Sequence, residues 1–393
     1  MKIVNNVPVW GNMIDVKALN QIETCYKTAT HAALMADHHS GYSVPIGGVV
    51  AYRNQISPSG VGFDIACGNM AVLTDLHFDE IKNHIPELAD QIFSQLAFGV
   101  GRKNNEKVEH PIFEDGSWKV IPTSIDKNTA EKQLGTIGSG NHYIDIFSDA
   151  QNRIWIGVHF GSRGLGHKIA TFFLKAGGAK DGIDVAPLVL DVDSQLGGDY
   201  LRAMELAGKY AYAGREWVCD RVCKILNTKI VESVHNHHNF AWKEMHNGEE
   251  LWVVRKGATP AFPGQRSFVG GSMGDISVIL EGVENEESKY SLYSTVHGAG
   301  RTMSRTAAKG KFIRDEQGRK QRQPGLVRHD EMIKWIESKG VCLRGAGLDE
   351  APQCYKRIEQ VLKEHEKSIK IIEVLKPLIV CMAGEEIVDP YKD

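Results

Sequence analysis

The chain has 393 residues, 42% of them hydrophobic and 24% charged, and 46 Lys and Arg set against 49 Asp and Glu leave a formal net charge of −3. These proportions are ordinary for a folded globular protein. They exclude a disordered, collagen-like or coiled-coil chain, and the near-neutral balance excludes a uniformly basic nucleic-acid coat.

Taken in chain order, Ile14, Ala18, Ile22, Tyr26 and Ala33 fall on roughly one face and predict a helix over 14–36. A Gly- and Pro-punctuated stretch follows, from His38 through PIGGVVAYRN to SPSGVGFDIACGN, and a second helix is predicted over 76–96. RIWIGVHF (153–160) predicts a short strand, which GSRGLG (161–166) turns into a helix starting near His167. Leu201, Leu206, Tyr210, Trp217, Val222 and Ile225 predict a long helix over 198–226, and LWVVRKG (251–257) and DISVILEG (275–282) read as strands. A last helix is predicted over 352–376, opened by Pro352 and carrying Ile358, Val361, Leu362, His365, Ile369 and Ile372 at helical spacing. Strands and helices mix without a βαβ rhythm, and neither repeat nor linker interrupts them. The expectation is a mixed α/β (α+β) fold in a single large domain over residues 1–393.

Seven cysteines, an odd number without a CxxC pair, fit reduced thiols in a cytosolic compartment. The opening MKIVNNVPVWGN lacks a basic region followed by an apolar run, and no stretch approaches 18 apolar residues. A cytoplasmic protein with no membrane association is therefore expected. Residues 301–329 hold nine basic side chains and two acids, so this segment is +7 and the remainder is −3 − 7 = −10. A solvated loop would look this way, and so would a local phosphate-binding surface on an otherwise acidic protein.

Five segments set potential ligands beside glycine: GVGFDIACGN (60–69), GTIGSGNHYID (135–145), GVHFGSRGLGH (157–167), HNHHNF (235–240) and STVHGAGRTMSR (294–305). Asp64 and Cys67 are three apart, so one turn can aim both at a single ion. A thiolate beside a carboxylate suits Zn²⁺ or Mn²⁺, and a thiolate can bridge two metals. A buried Cys beside a capping Asp would show the same spacing. His142 and His159 each adjoin a glycine turn. In an extended segment His235 and His237 share a face and His238 points the other way, so the three cannot all bind one metal. GSRGLG is neither a Rossmann nor a Walker A sequence, but it can place amides and Arg163 around a phosphate. In HGAGR, His297 stands beside small residues with Arg301 and Arg305 four apart, an arrangement in which a histidine can carry a phosphoryl or nucleotidyl group.

Together these segments resemble the RtcB family of GTP-dependent RNA ligases. The likeness runs from MADHHSGYSVPIGG to the YKRIEQVL stretch and includes DxxC, GTxGxGNH, HxGSRGLGH, HHNF followed by WKEMH, RKGATPA, GGSMG and HGAGRxMSR. The resemblance implies an RtcB-like domain around a deep two-metal pocket. Asp64, Cys67 and His142 would hold one Mn²⁺, with the Cys67 thiolate bridging to a second completed by His159 and His238. It implies that His297 takes GMP from GTP and passes it to an RNA 3′-phosphate, which a 5′-hydroxyl then attacks; a 2′,3′-cyclic phosphate would first be opened. Asn141, Tyr143, Asp145, Ser272, Ala299, Gly300 and Tyr355 match positions lining the GTP site, and Arg163, Arg301 and Arg305 match positions that meet phosphates. The implied partner is RNA with broken ends, in RNA repair or tRNA processing. A monomer is expected, with an activating helper protein compatible.

Three departures mark a divergent branch. The metal loop reads GFDIACGN where the family usually has GVDIGCGM, and Asp145 stands where a glutamate is usual. Ala383-Gly384 stands where the family usually ends in Lys-Gly, and nine residues follow. Two other readings stay open from the sequence: a metal-dependent RNA-end phosphatase or cyclic phosphodiesterase with no need for GTP, and a non-catalytic protein that binds RNA ends.

Overall fold

The computed structural model describes residues 1–384 except 106, 120, 122–125, 180, 181, 183, 315, 316 and 318, and only the backbone of 312, 313, 320 and 322. Two large, mostly antiparallel sheets carry a mixed α/β architecture, in agreement with the sequence. One has six strands in the order Lys2–Val4, Val7–Val9, His31–His39, Ile46–Tyr52, Glu249–Lys256 and Asn239–His246. The other runs Ile230–His237, Gly68–His77, Arg153–Phe160, Tyr143–Ser148, Ile369–Met382, Ser277–Gly282 and Arg266–Val269, with Cys342–Arg344 beside Ile369–Met382.

The larger sheet is covered on both faces, which is why Arg153–Phe160 is an almost unbroken apolar run. Alternate residues Ile144, Ile146, Ile154, Ile156 and Val158 pack with Val218, Cys219 and Val222 of the 32-residue helix Gln195–Leu226. On the other face Ala71, Leu73, Phe147 and Trp155 pack with Phe268, Ile279, Met332 and Ile336. Ser194 caps the long helix by accepting from the Gly197 amide, and Asn227 ends it in the left-handed conformation.

The sheet curls so that its end strands meet. Asn236 Oδ1 accepts from the Phe268 amide at 3.0 Å, Asn69 Nδ2 donates to the Phe268 carbonyl at 2.9 Å, and Arg266 pairs with Glu232. Both asparagines are buried.

Four expectations shift. The segment 14–36 divides into a helix, Val16–Tyr26, and the strand His31–His39, because 31–34 are taken up by a ladder with Gly48–Ala51. The segment 76–96 is two helices, Phe78–Ile81 and Ile85–Gln95, the second with Pro86 in its first turn. The third helix starts at Arg163, so most of GSRGLG is its first turn. The segment 352–376 holds a 3-10 turn (Pro352–Cys354), a short helix (Ile358–Lys363) and then the 14-residue strand Ile369–Met382. β-Branched Ile369, Ile371, Ile372 and Val374 fit that interior strand, and sheet pairing overrides their helical spacing. Among the described residues no helix is long and apolar enough to cross a membrane.

Replacing Asn236 by Ala leaves the Phe268 amide buried without an acceptor, at a cost of about 1–3 kcal/mol. Urea unfolding should show this as a lowered midpoint with an unchanged slope.

Candidate active site and metal centre

The two sheets are joined at His238. The strand Ile230–His237 ends in the larger sheet, and Asn239–His246 begins in the smaller one with a single residue between them. The other candidate side chains gather from strand ends around this joint. Cys67 precedes Gly68–His77, His142 precedes Tyr143–Ser148, His159 lies near the end of Arg153–Phe160, and His297 follows Ser294–Val296.

Backbone hydrogen bonds hold the 64–67 turn to the joint. The His238 and Asn239 amides both donate to the Cys67 carbonyl, at 2.8 and 3.3 Å, and the Ala66 amide donates to the Asn239 carbonyl at 2.7 Å. Ser162 Oγ donates to the Ile65 carbonyl at 2.5 Å. Gly161 is required beside the turn, because a Cβ there would collide with the Asp64 carboxylate. From the middle of the long helix, fully buried Arg215 donates to the carbonyls of Ala66 (3.0 Å) and Phe160 (2.5 Å). It also donates to His235 Nε2 at 2.7 Å and His237 Nδ1 at 2.9 Å. The expected division of the histidines therefore holds: 235 and 237 face Arg215, and 238 faces the cluster.

Cys67 Sγ lies 3.2 Å from His159 Nε2 and 3.6 Å from His142 Nε2, and His142 Nε2 lies 3.0 Å from Asp64 Oδ2. The Cys67, His142 and His159 donor atoms all fall within 4.8 Å of one another. His159 and His238 have ring centroids 5.1 Å apart, and His238 Nδ1 is buried with no partner. His159 Nδ1 contacts the Asn141 carbonyl at 3.1 Å, which turns Nε2 toward the thiol. Burial holds the pKa of all three imidazoles below the usual histidine value, most strongly for His159 and His238. Burial opposes ionisation of Asp64, but the hydrogen bond and charge of His142, with Arg163 behind it, bring the carboxyl down to about 2. Burial and the Asp64 charge push the Cys67 thiol well up. Neutral imidazoles, a carboxylate and a thiol that ionises on coordination form a donor set that fits a divalent cation of borderline softness.

Beside this cluster the His297 ring lies 4.9 Å from that of His238. Its Nδ1 is 2.6 Å from Asp37 Oδ2, which also accepts from the amides of His297 (2.9 Å) and Gly298 (3.3 Å). Burial raises the Asp37 pKa, but the charge and hydrogen bonds of His297 outweigh it and hold the carboxyl below its usual range. When the ring is neutral, the contact with Asp37 makes Nδ1–H the donor and leaves the lone pair on Nε2. Asp37 and Arg215 are the residues in contact with the candidate site that motif reading misses. Asp37 is separated from His297 by 260 positions. Its one sequence signal is its place inside the MADHH stretch.

The remaining candidates divide. Tyr143 stacks edge-on to His159, with ring centroids 5.4 Å apart. The Tyr143 hydroxyl, Asp145 Oδ1, Ser272 Oγ and Arg163 Nε are buried with no partner. Burial raises the Asp145 pKa well above the usual carboxyl value. Arg163 donates to His142 Nδ1 at 3.2 Å, placing it behind the cluster. Arg301 donates to the Tyr355 hydroxyl at 2.9 Å and lies 3.3 Å from Glu350, while Arg305 pairs with Glu350 and lies 3.4 Å from Asp349. Ala299 and Gly300 lie in the turn after His297; Gly300 has φ +76, and a Cβ there would strike the Asp37 carbonyl, so both backbone and space favour glycine. Within the basic 301–329 run, Asp315, Glu316 and the side chains of Lys320 and Arg322 lie outside the described residues.

A family described as tRNA-splicing ligase RtcB matches residues 18–123 and 109–383. The chain is 32% identical to the RNA-splicing ligase RtcB of Escherichia coli (strain K12), over 90% of each chain. It is 33% identical to the tRNA-splicing ligase RtcB of Nanoarchaeum equitans, covering 90% of this chain and 88% of that one. It is 30% identical to the RNA-splicing ligase RtcB homolog 1 of Entamoeba dispar, covering 92% and 82%.

If the cluster binds a cation through Cys67, adding Co²⁺ should produce a thiolate-to-metal charge-transfer absorption. Cys67→Ser should abolish that band, and His159→Ala should weaken binding by about 10-fold or more.

Proposed function

The chain belongs to the RtcB family of tRNA-splicing ligases, and from that premise we propose that it joins RNA 3′-phosphate ends to 5′-hydroxyl ends through a guanylylated His297. The observation that carries this reading is the pairing of His297 with Asp37 at one side and with the Cys/His cluster at the other. A carboxylate on Nδ1 fixes the tautomer that leaves Nε2 as nucleophile and stabilises the ring as its charge changes.

Asp64, Cys67 and His142 would hold one Mn²⁺, and Cys67, His159 and His238 a second. When bound, such a pair supplies positive charge against phosphate oxygens. His297 Nε2 attacks the α-phosphorus of GTP, the bond to the β-phosphate oxygen breaks, and pyrophosphate leaves with the electron pair. An oxygen of the RNA 3′-phosphate then attacks the same phosphorus, and the N–P bond returns its electrons to the ring. Finally the 5′-hydroxyl oxygen attacks the 3′-phosphorus, its proton is lost, and GMP departs as the new phosphodiester forms. A 2′,3′-cyclic phosphate enters after water has opened it. These steps depend mainly on alignment and charge, which side chains gathered at strand ends are suited to provide.

Asn141, Tyr143, Asp145, Ser272, Ala299, Gly300 and Tyr355 would line the nucleotide. The partnerless atoms of Tyr143, Asp145 and Ser272 support this reading, since buried polar groups ordinarily find partners. When protonated, which its burial favours, Asp145 offers a donor as well as an acceptor. Its strand pairs with the one ending at Met382, so buried Ala383, in place of a lysine, follows close by and brings no cation. Arg163 would meet phosphate from behind His142. Arg301 and Arg305 would meet it by exchanging their contacts with Glu350 and Asp349.

With Mn²⁺ and GTP labelled at the α-phosphate, wild-type protein should become covalently labelled, and His297→Ala should not. Asp37→Asn should slow labelling at least tenfold without lowering bound metal. Metal-dependent release of terminal phosphate without GTP, and with no labelling, would instead indicate the end-phosphatase chemistry.

A further inference from the structure

Asp37 does not sit in regular sheet. Its strand pairs Leu34 with Gly48 and then His39 with Ile46, so the four residues 35–38 bulge out opposite Gly47 alone. A bulge of that size strips the ladder from four consecutive carbonyls, and buried carbonyls need donors. Here every one of the four is taken by a side chain. His38 Nδ1 reaches the Met35 carbonyl at 2.7 Å, and His39 Nδ1 reaches that of Asp37 at 3.1 Å. The other two, on either side of Asp37, are both served by Lys356: its Nζ donates to Ala36 at 2.9 Å and to His38 at 3.1 Å. His365 Nε2 accepts from the Ala36 amide at 3.2 Å, so the bulge is also held at its nitrogen.

Lys356 is itself tied to the His297 turn. Its amide donates to the Gly300 carbonyl at 2.9 Å, and Arg301 forms an isolated bridge with Tyr355. One residue thus spans both partners, fastened by its backbone to the turn that carries His297 and by its side chain to the bulge that carries Asp37. The geometry points to Lys356 as the positioning residue of the proposed guanylyl transfer, a clamp that fixes Asp37 against His297 Nδ1 and so aims Nε2. Lys356 makes no hydrogen bond to the His297 ring or to any residue of the Cys/His cluster among the described contacts. Its effect passes through Asp37. Its ammonium charge also favours the ionised form of Asp37.

This inference rests on the proposed His297 chemistry for its rate readout, and a second readout is independent of that chemistry. The maximal rate of α-labelled GMP incorporation at saturating Mn²⁺ is measured for wild-type protein, Lys356→Met, Lys356→Arg, Asp37→Asn and the Lys356→Met/Asp37→Asn double variant. Lys356→Met should be slower by tenfold or more with its half-saturating GTP concentration within about threefold of wild type. Lys356→Arg, which keeps charge and donors, should recover most of the rate. The double variant should label no more slowly than Asp37→Asn alone, because both changes break one unit. Should Met at 356 prevent folding, Lys356→Gln takes its place. In parallel, the downfield Nδ1–H proton signal of His297, assigned by its loss in His297→Gln, should be present in wild type and Lys356→Arg and lost in Lys356→Met. Wild-type labelling and an intact signal in Lys356→Met, or rate losses that multiply in the double variant, would overturn the assignment. Absence of labelling in wild type would defeat the guanylyl-transfer reading alone, leaving the proton signal to decide on Lys356.

Discussion

The site depends on a short backbone clasp, in which the Cys67 carbonyl takes amide hydrogens from both His238 and Asn239 while the Ala66 amide donates to the Asn239 carbonyl. His238 and Asn239 are the joint between the sheets, so this clasp pins the thiol-bearing turn to the place where the chain changes sheet. The Cys67 thiol then stands among imidazoles brought from three other strand ends. A metal-binding constellation assembled from loops alone would have to be ordered by its ligand. Here the ligands lie at the ends of strands whose positions are set by cross-strand pairing and by cores on both faces of the larger sheet.

Behind the turn, Arg215 offsets a local difficulty. Four carbonyl and imidazole acceptors converge there, and one guanidinium donates to them all from a fully buried position. Burial brings its pKa down only to about 10, so it remains a cation at neutral pH. The same solution recurs at the Asp37 bulge, where side chains replace a missing ladder. In both places the irregular backbone that aims a reactive group is stabilised by a basic side chain from a distant segment.

Regular features were legible in the sequence where local pattern and tertiary demand agree. The strands at 153–160 and 275–282 and the long helix near 198–226 are of this kind, as is the opposed facing of His235 and His237 against His238. The residues of the cluster were legible as candidates because Asp64, Cys67, His142, His159 and His238 each sit beside a glycine turn or a histidine cluster. Ile369 and Ile372 misled, because helical spacing and β-branching give opposite readings and only the vacant position between Tyr143–Ser148 and Ser277–Gly282 decides between them. Asp37, Arg215 and Lys356 were not legible as candidates, since they meet His297, the Ala66 carbonyl and the Ala36 carbonyl across 260, 149 and 320 positions respectively. The ion pairs of Arg301 and Arg305 with Glu350 belong to the same class: the basic run is visible in the sequence, and its counter-charges are not.

The central claim is that Asp37 holds His297 Nδ1 so that Nε2 is the atom that reacts. A crystal structure of the protein after incubation with Mn²⁺ and GTP tests it most directly. The account predicts continuous density from His297 Nε2 to a single phosphorus of GMP, with Nδ1 still within hydrogen-bonding distance of Asp37. Phosphorus bonded to Nδ1 or to another residue, or an adduct on His297 formed with Asp37 turned away, would contradict it.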